Sequence, residues 1–117
     1  MIEEMIARVF ALRDYTHILH WSARNGEAHR ALGKFYGDII GALDGYVEAY
    51  QGLYGLIGDI PVISIRSGLP SDEIRAQREW IIANRSAITR DDPSLLNELD
   101  GICKLYADVL YMLDFLE

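Results

Sequence analysis

Apolar residues recur at steps of three and four along four stretches of the chain, the period of a helix that packs along one face. The first stretch runs from Ile2 to Arg24 without glycine or proline. Ile2, Met5, Ile6, Val9, Leu12, Ile18 and Trp21 carry its stripe, and Asn25-Gly26 stops it. The second runs from about Glu27 to Ile57 through Leu32, Phe35, Tyr36, Ile39, Ile40, Leu43, Val47, Tyr50, Leu53 and Tyr54. Between Gly58 and Pro70 the period is lost around Val62-Ile63-Ser64-Ile65, which predicts an extended crossover. A third helix is predicted from Ser71, a good cap followed by Asp72 and Glu73, to about Thr89. Asp92-Pro93 announces the fourth, a cap residue with proline at the first helical position, and it runs to the terminus.

Loop lengths set the topology. Short links after the first and third helices make two antiparallel hairpins. The thirteen residues of the middle link reach about 43 Å when extended, nearly the roughly 45 Å of a thirty-residue helix. The expected fold is therefore all-α, a single domain over residues 1–117: a four-helix bundle of two antiparallel hairpins joined by one long crossover, the connection of ferritins. Glycines 33, 37, 41 and 45 recur every four residues on the second helix and lay a smooth ridge along one face. That ridge predicts a close helix–helix contact, within the chain or across a dimer.

Composition removes several function classes. Eighteen acidic residues against eleven basic ones give a net charge of −7, and Lys34 and Lys104 are the only lysines. A partner gripped through phosphates needs a basic patch, so direct DNA binding is not expected. No apolar run approaches the roughly 18 residues of a spanning helix, and the first residues are acidic where a secretory signal is basic. The expected location is the cytoplasm, with no membrane partner. The single cysteine, Cys103, lies in an apolar-periodic stretch and reads as a buried, inert thiol. Trp21 and Trp80 read as core or interface aromatics.

The candidate chemistry is concentrated in the first two helices. His20 and His29 are about equally far from the Asn25 turn, so they can sit side by side at one end of the first hairpin, with His17 one turn deeper. Asp44 and Glu48, four apart, share one face of the second helix. Imidazoles with carboxylates are the donor set of non-haem iron, manganese or zinc. His29 and Asp44 are separated by about 22 Å of helix axis, too far to hold one ion within one chain. A second copy packed antiparallel about a two-fold axis would bring one chain's histidines to the other's carboxylates and give two sites per dimer. Each piece also has a plain alternative. A histidine on a half-buried face is ordinarily just hydrogen-bonded there, an Asp-x-x-x-Glu pair is ordinarily solvated, and Asp14-x-x-His17 is a rival pair or a local hydrogen bond.

His20-Trp21, His29, and Asp44 with Glu48 four later resemble the signature of the Dps-type mini-ferritins, best between about Tyr15 and Tyr54. The resemblance implies a ferroxidase centre shared by two-fold-related subunits, with His20 and His29 from one chain and Asp44 and Glu48 from the other, His17 lying close by. It implies Fe(II) oxidised to Fe(III) by oxygen or peroxide, with zinc or manganese as other candidate metals, Tyr36 and Trp21 near the site, and dimers assembled into a hollow iron-storing shell. The chain departs from that family in four ways. An acidic residue usual four positions after the second histidine is Gly33 here, and the segment between the histidines is three residues shorter. There is no lysine-rich N-terminal arm, and the whole chain is short, like compact variants in bacteriophage genomes. The other reading is a non-enzymatic oligomeric module, structural or partner-binding, with a degenerate metal site.

Overall fold

A computed structural model describes residues 1–65 and 67–116. Arg66 in the crossover and Glu117 at the end of the last expected helix lie outside the described residues. The protein is all-helical, with no strand among the described residues: α1 (Ile2–Ser22), α2 (Gly26–Tyr54), α3 (Pro70–Ala83), α4 (Arg85–Thr89) and α5 (Pro93–Phe115). None of these helices is long and apolar enough to cross a membrane.

The apolar stripes make one core. Met5, Val9 and Leu12 of α1 meet Leu32, Phe35, Ile39, Leu43 and Tyr46 of α2, Ile74 and Ile81 of α3, Ile88 of α4, and Leu95, Leu99, Ile102 and Tyr106 of α5. α1 packs on α2, α2 on α5, α5 on α3, and α3 on α1. Two polar side chains inside this core satisfy one another. Gln77 donates to the Arg8 carbonyl (2.6 Å) and accepts from the Tyr106 hydroxyl, so neither this amide nor this phenol is left unpaired. The Cys103 thiol is buried, as its apolar surroundings predict, and that burial pushes its pKa up.

Helix ends show where local chemistry overrides periodicity. Asn25 stops α1 as expected and also caps α2, its side-chain oxygen accepting from the Ala28 N–H (2.7 Å). α2 ends at Tyr54 rather than near Ile57, because Gly55 turns to φ +90° and its N–H closes on the Gln51 carbonyl. Leu69, not Ser71, precedes the first turn of α3, with Pro70 at its first position. Ser71 is inside that turn and donates to Asp114 (3.0 Å). The single third helix of the sequence reading is two helices. At Asn84 the side-chain amide donates back to the Trp80 carbonyl (2.8 Å) and the backbone leaves helical geometry at ψ +11°.

Asp92 does cap α5, accepting from the Ser94 and Leu95 N–H groups (3.0 and 3.1 Å). The Ser94 hydroxyl and these N–H groups hold its carboxyl below the usual carboxylate range. A depressed pKa stabilises the fold above the unfolded-state value and the contribution is lost as pH falls through the folded one. Asp92→Ala should lower the thermal midpoint by a few degrees at neutral pH, and the gap from the parent should close in acid. Paired thermal melts across that range check it.

Candidate functional site at the end of the first hairpin

α1 and α2 run antiparallel, so their ends near Asn25 bring the three histidines together. The His20 and His29 rings stack with centroids 3.8 Å apart and planes 23° from parallel. Each ring also reaches across the hairpin to the other's main chain. His20 Nδ1 lies 2.6 Å from the His29 carbonyl oxygen, and His29 Nδ1 lies 2.8 Å from the His20 carbonyl oxygen. A carbonyl oxygen only accepts, so both Nδ1 atoms must carry the proton. In the neutral rings this leaves the lone pair on Nε2, the form in which imidazole binds a cation.

His17 lies one turn deeper. Its ring stacks on Tyr36 at 3.9 Å and 12°, and lies 4.6 Å from Trp21. Asp14 bonds to Arg13 at 3.1 Å rather than to His17, so the rival Asp14–His17 pair is not formed. Trp21 is not a core residue, since it leaves 70% of its surface exposed. Trp80 is half-buried, with the Arg8 guanidinium 4.3 Å from its ring centroid.

Gly33 explains how two imidazoles fit here. A Cβ at that position would lie 2.8 Å from His20 Cε1 and 3.0 Å from its Nδ1. The position where Dps-type proteins carry an acid is therefore the floor of the His20 ring. Of the four glycines in the ridge, only Gly33 sits where an added Cβ would meet another side chain. A Cβ on Gly37, Gly41 or Gly45 would meet nothing within 4 Å, so the ridge is not an intrachain helix contact beyond Gly33.

Asp44 and Glu48 stand exposed toward the other end of the hairpin. They flank a groove of about 240 Å³ whose apolar walls include Ile6, Phe10, Leu43 and Val47. Neither carboxylate takes part in an ion pair among the described residues. No three histidine, cysteine or acidic side chains among the described residues are placed to hold one ion. One chain thus carries paired imidazoles at one end of the hairpin and two carboxylates about 22 Å away along α2.

The sequence reading placed His20 and His29 side by side at one end of the hairpin, where the rings stack, and Asp44 about 22 Å farther along the same helix. It missed the reciprocal imidazole–carbonyl bonds and the part played by Gly33. The only signal was a glycine one turn after His29, on the side of α2 that faces α1. Comparison with protein-family models, with curated proteins and with solved structures returned no match to this chain.

Proposed function

We propose that this chain is a ferritin-like iron-binding protein, a four-helix bundle of two hairpins joined by one crossover, that oxidises Fe(II) between two-fold-related subunits. His20 and His29 of one subunit would hold Fe(II) together with the partner subunit's Asp44 and the partner subunit's Glu48. One observation carries the reading. Both imidazoles are held by Nδ1 on main-chain oxygens, which leaves both Nε2 lone pairs for a cation. Two unpaired carboxylates on the same hairpin supply the hard oxygen donors that suit the product Fe(III). Each Fe(II) gives up one electron. A peroxide takes two and, with two protons, leaves as two waters, so two irons turn over per peroxide. The acidic surface, net −7, favours arrival of cations, and assembly of the dimers into a storage shell is the expected larger form.

Aerobic addition of Fe(II) tests this. The parent should build up ferric absorbance faster than buffer, and Asp44→Ala/Glu48→Ala should track buffer with its helicity intact. A double variant that oxidises iron like the parent would remove the two carboxylates from the site.

A second reading draws on Gly33. The family's further carboxylate is absent, and the His20 ring occupies the space it would enter. Two nitrogens and two oxygens suit a single four-coordinate ion such as zinc, or a site that no longer turns over, leaving an oligomeric structural module. Tight zinc binding at one ion per site, without iron oxidation, would decide for it.

A further inference from the structure

We infer that Asn25-Gly26 is a self-modifying turn. The Gly26 nitrogen closes on the Asn25 side chain, ammonia leaves, and the isoaspartyl product takes His29 out of register with His20. The inference rests on the hairpin turn alone and not on iron.

The reaction needs only the chain and water. The Gly26 N–H gives its proton to a solvent base, and the nitrogen attacks Asn25 Cγ. A five-membered imide forms as the bond from Cγ to the side-chain nitrogen breaks, and that nitrogen leaves as ammonia with a proton from water. Water then opens the imide at one of its two carbonyls. Opening at the side-chain carbonyl gives aspartate. Opening at the main-chain carbonyl gives isoaspartate, whose chain runs on through the side-chain carbons. The net change is one water in and one ammonia out.

The chain has three asparagines, and the structure singles out this one. Asn25 and Gly26 are both exposed. Gly26 is the first residue of α2, where an N–H has no carbonyl to bond within the helix, so the nucleophile is not tied up. It has no Cβ to screen it, and one there would stand 3.2 Å from Arg30 Nη1. That guanidinium, though paired with Glu27, and the positive end of the α2 dipole both favour the deprotonated nitrogen. The one restraint is the cap. Asn25 Oδ1 accepts from the Ala28 N–H at 2.7 Å, and this bond must open before the ring can close. A cap is worth about 1 kcal/mol, so the fold should slow closure only about fivefold. The other two asparagines are placed differently. Asn97 lies inside α5, where the N–H of the next residue belongs to the helix ladder. Asn84 commits its amide to the Trp80 carbonyl at 2.8 Å, and Arg85 follows it with a full side chain.

The two products differ at the histidines. Aspartate keeps the backbone and caps a helix as well as asparagine does, with a charge that the start of a helix favours. Isoaspartate adds one backbone atom to the turn. The carbonyl of residue 25, which accepts from the His29 N–H at 3.1 Å, is then displaced, and the first turn of α2 shifts against α1. His20 and His29 hold each other's carbonyls across this turn, so the shift breaks the reciprocal bonds.

Ageing the full chain at mildly alkaline pH, folded and in guanidinium chloride, is the test. Trypsin cuts after Arg24 and Arg30, so one short peptide reports residue 25. In the folded chain this peptide should gain the mass difference between water and ammonia at no less than about a tenth of the rate in denaturant. The peptides that carry Asn84 and Asn97 should not change over the same period. Gly26→Ala, whose new methyl screens the nitrogen, should slow the gain while keeping the parent's helicity. A folded chain whose residue 25 stays an amide while the denatured sample converts would overturn the inference, since the cap would then protect the turn. Nitrogen-15 imidazole spectra of the aged chain test the consequence. The isoaspartyl fraction should lose the fixed Nδ1 proton of His29, whereas Asn25→Asp should keep it. Isoaspartyl chains that hold both rings as the parent does would overturn the link to the histidines.

Discussion

Between pH 10 and about 11.5 the protein should lose about 3 kcal/mol of stability, a large part of the roughly 5–15 kcal/mol that a domain ordinarily possesses. Tyr46 and Tyr106 are fully buried. Their hydroxyls donate to the Ile88 carbonyl (3.2 Å) and to Gln77, and burial pushes both pKa values up, well out of the ordinary tyrosine range. A phenol that stays protonated when folded and ionises when unfolded leaves the native state holding more protons above about pH 10. Stability then falls by about 1.4 kcal/mol per pH unit for each such group. Cys103, raised by the same cause, adds to the fall. Urea midpoints followed by circular dichroism should drop steeply in this range. The last tyrosinate absorbance should appear together with the loss of helicity rather than before it. Tyr106→Phe should roughly halve the slope, although it removes the Gln77 bond and starts from a lower stability at neutral pH. A flat midpoint across the range would mean that the two phenols reach solvent without unfolding.

The same burial that makes these phenols sensitive is what made most of the fold legible. The spacing of Phe35, Ile39 and Leu43, and of Leu99, Ile102, Tyr106 and Val109, assigns helices there and their buried faces, whereas buried Tyr46 lay outside the stripe read from the sequence, which ran on through exposed Leu53 and Tyr54. Periodicity says nothing about interruptions made by single side chains. Asn84 sits between Ile81 and Ile88 without disturbing the apolar pattern, yet its amide captures the Trp80 carbonyl and ends α3. Ile57 looked like one more turn of α2 because its period fits, whereas Gly55 takes a backbone angle that only glycine adopts cheaply.

At the candidate site the limit of the sequence is of another kind. The separation of His29 from Asp44 is a property of one helix and can be computed from rise per residue. The stacking of His20 on His29 is a property of two helices in a particular rotation, and it depends on which residue of α2 lacks a side chain. Read along the chain, Gly33 is a missing ligand or one member of a ridge. Set beside α1, it is the space His20 needs. Gly37, Gly41 and Gly45, identical in the pattern, meet nothing. The Asn25 cap had a readable second function too, since an Asx residue before Gly26 suits a helix start as well as a stop.

Gly33→Ala is therefore expected to separate stability from binding. Alanine in place of a helical glycine favours the helix by about 1 kcal/mol. Against that, the new Cβ would stand 2.8 Å from His20 Cε1, and the ring must rotate away. It then loses its stack on His29 and its bond to the His29 carbonyl, together worth about 1–2 kcal/mol. The two effects nearly cancel, so the thermal midpoint should move little. Metal affinity, on the proposed reading of the site, has no such compensation. With the His20 ring released, the pair of Nε2 lone pairs is no longer held in place, and divalent-metal affinity should fall by about 10–100-fold, the range seen when groups that orient a ligand are removed. Because Gly33 acts only through His20, the loss should not add to that of His20→Ala in a double variant. Nitrogen-15 spectra of the imidazoles give a reading without metal. In the parent both His20 and His29 should be protonated at Nδ1 in their neutral form, and in Gly33→Ala the His20 signal should lose that preference. A Gly33→Ala chain that keeps both tautomers fixed and binds metal as the parent does would show that the glycine is only a weak helix residue and that the stacked pair does not depend on it.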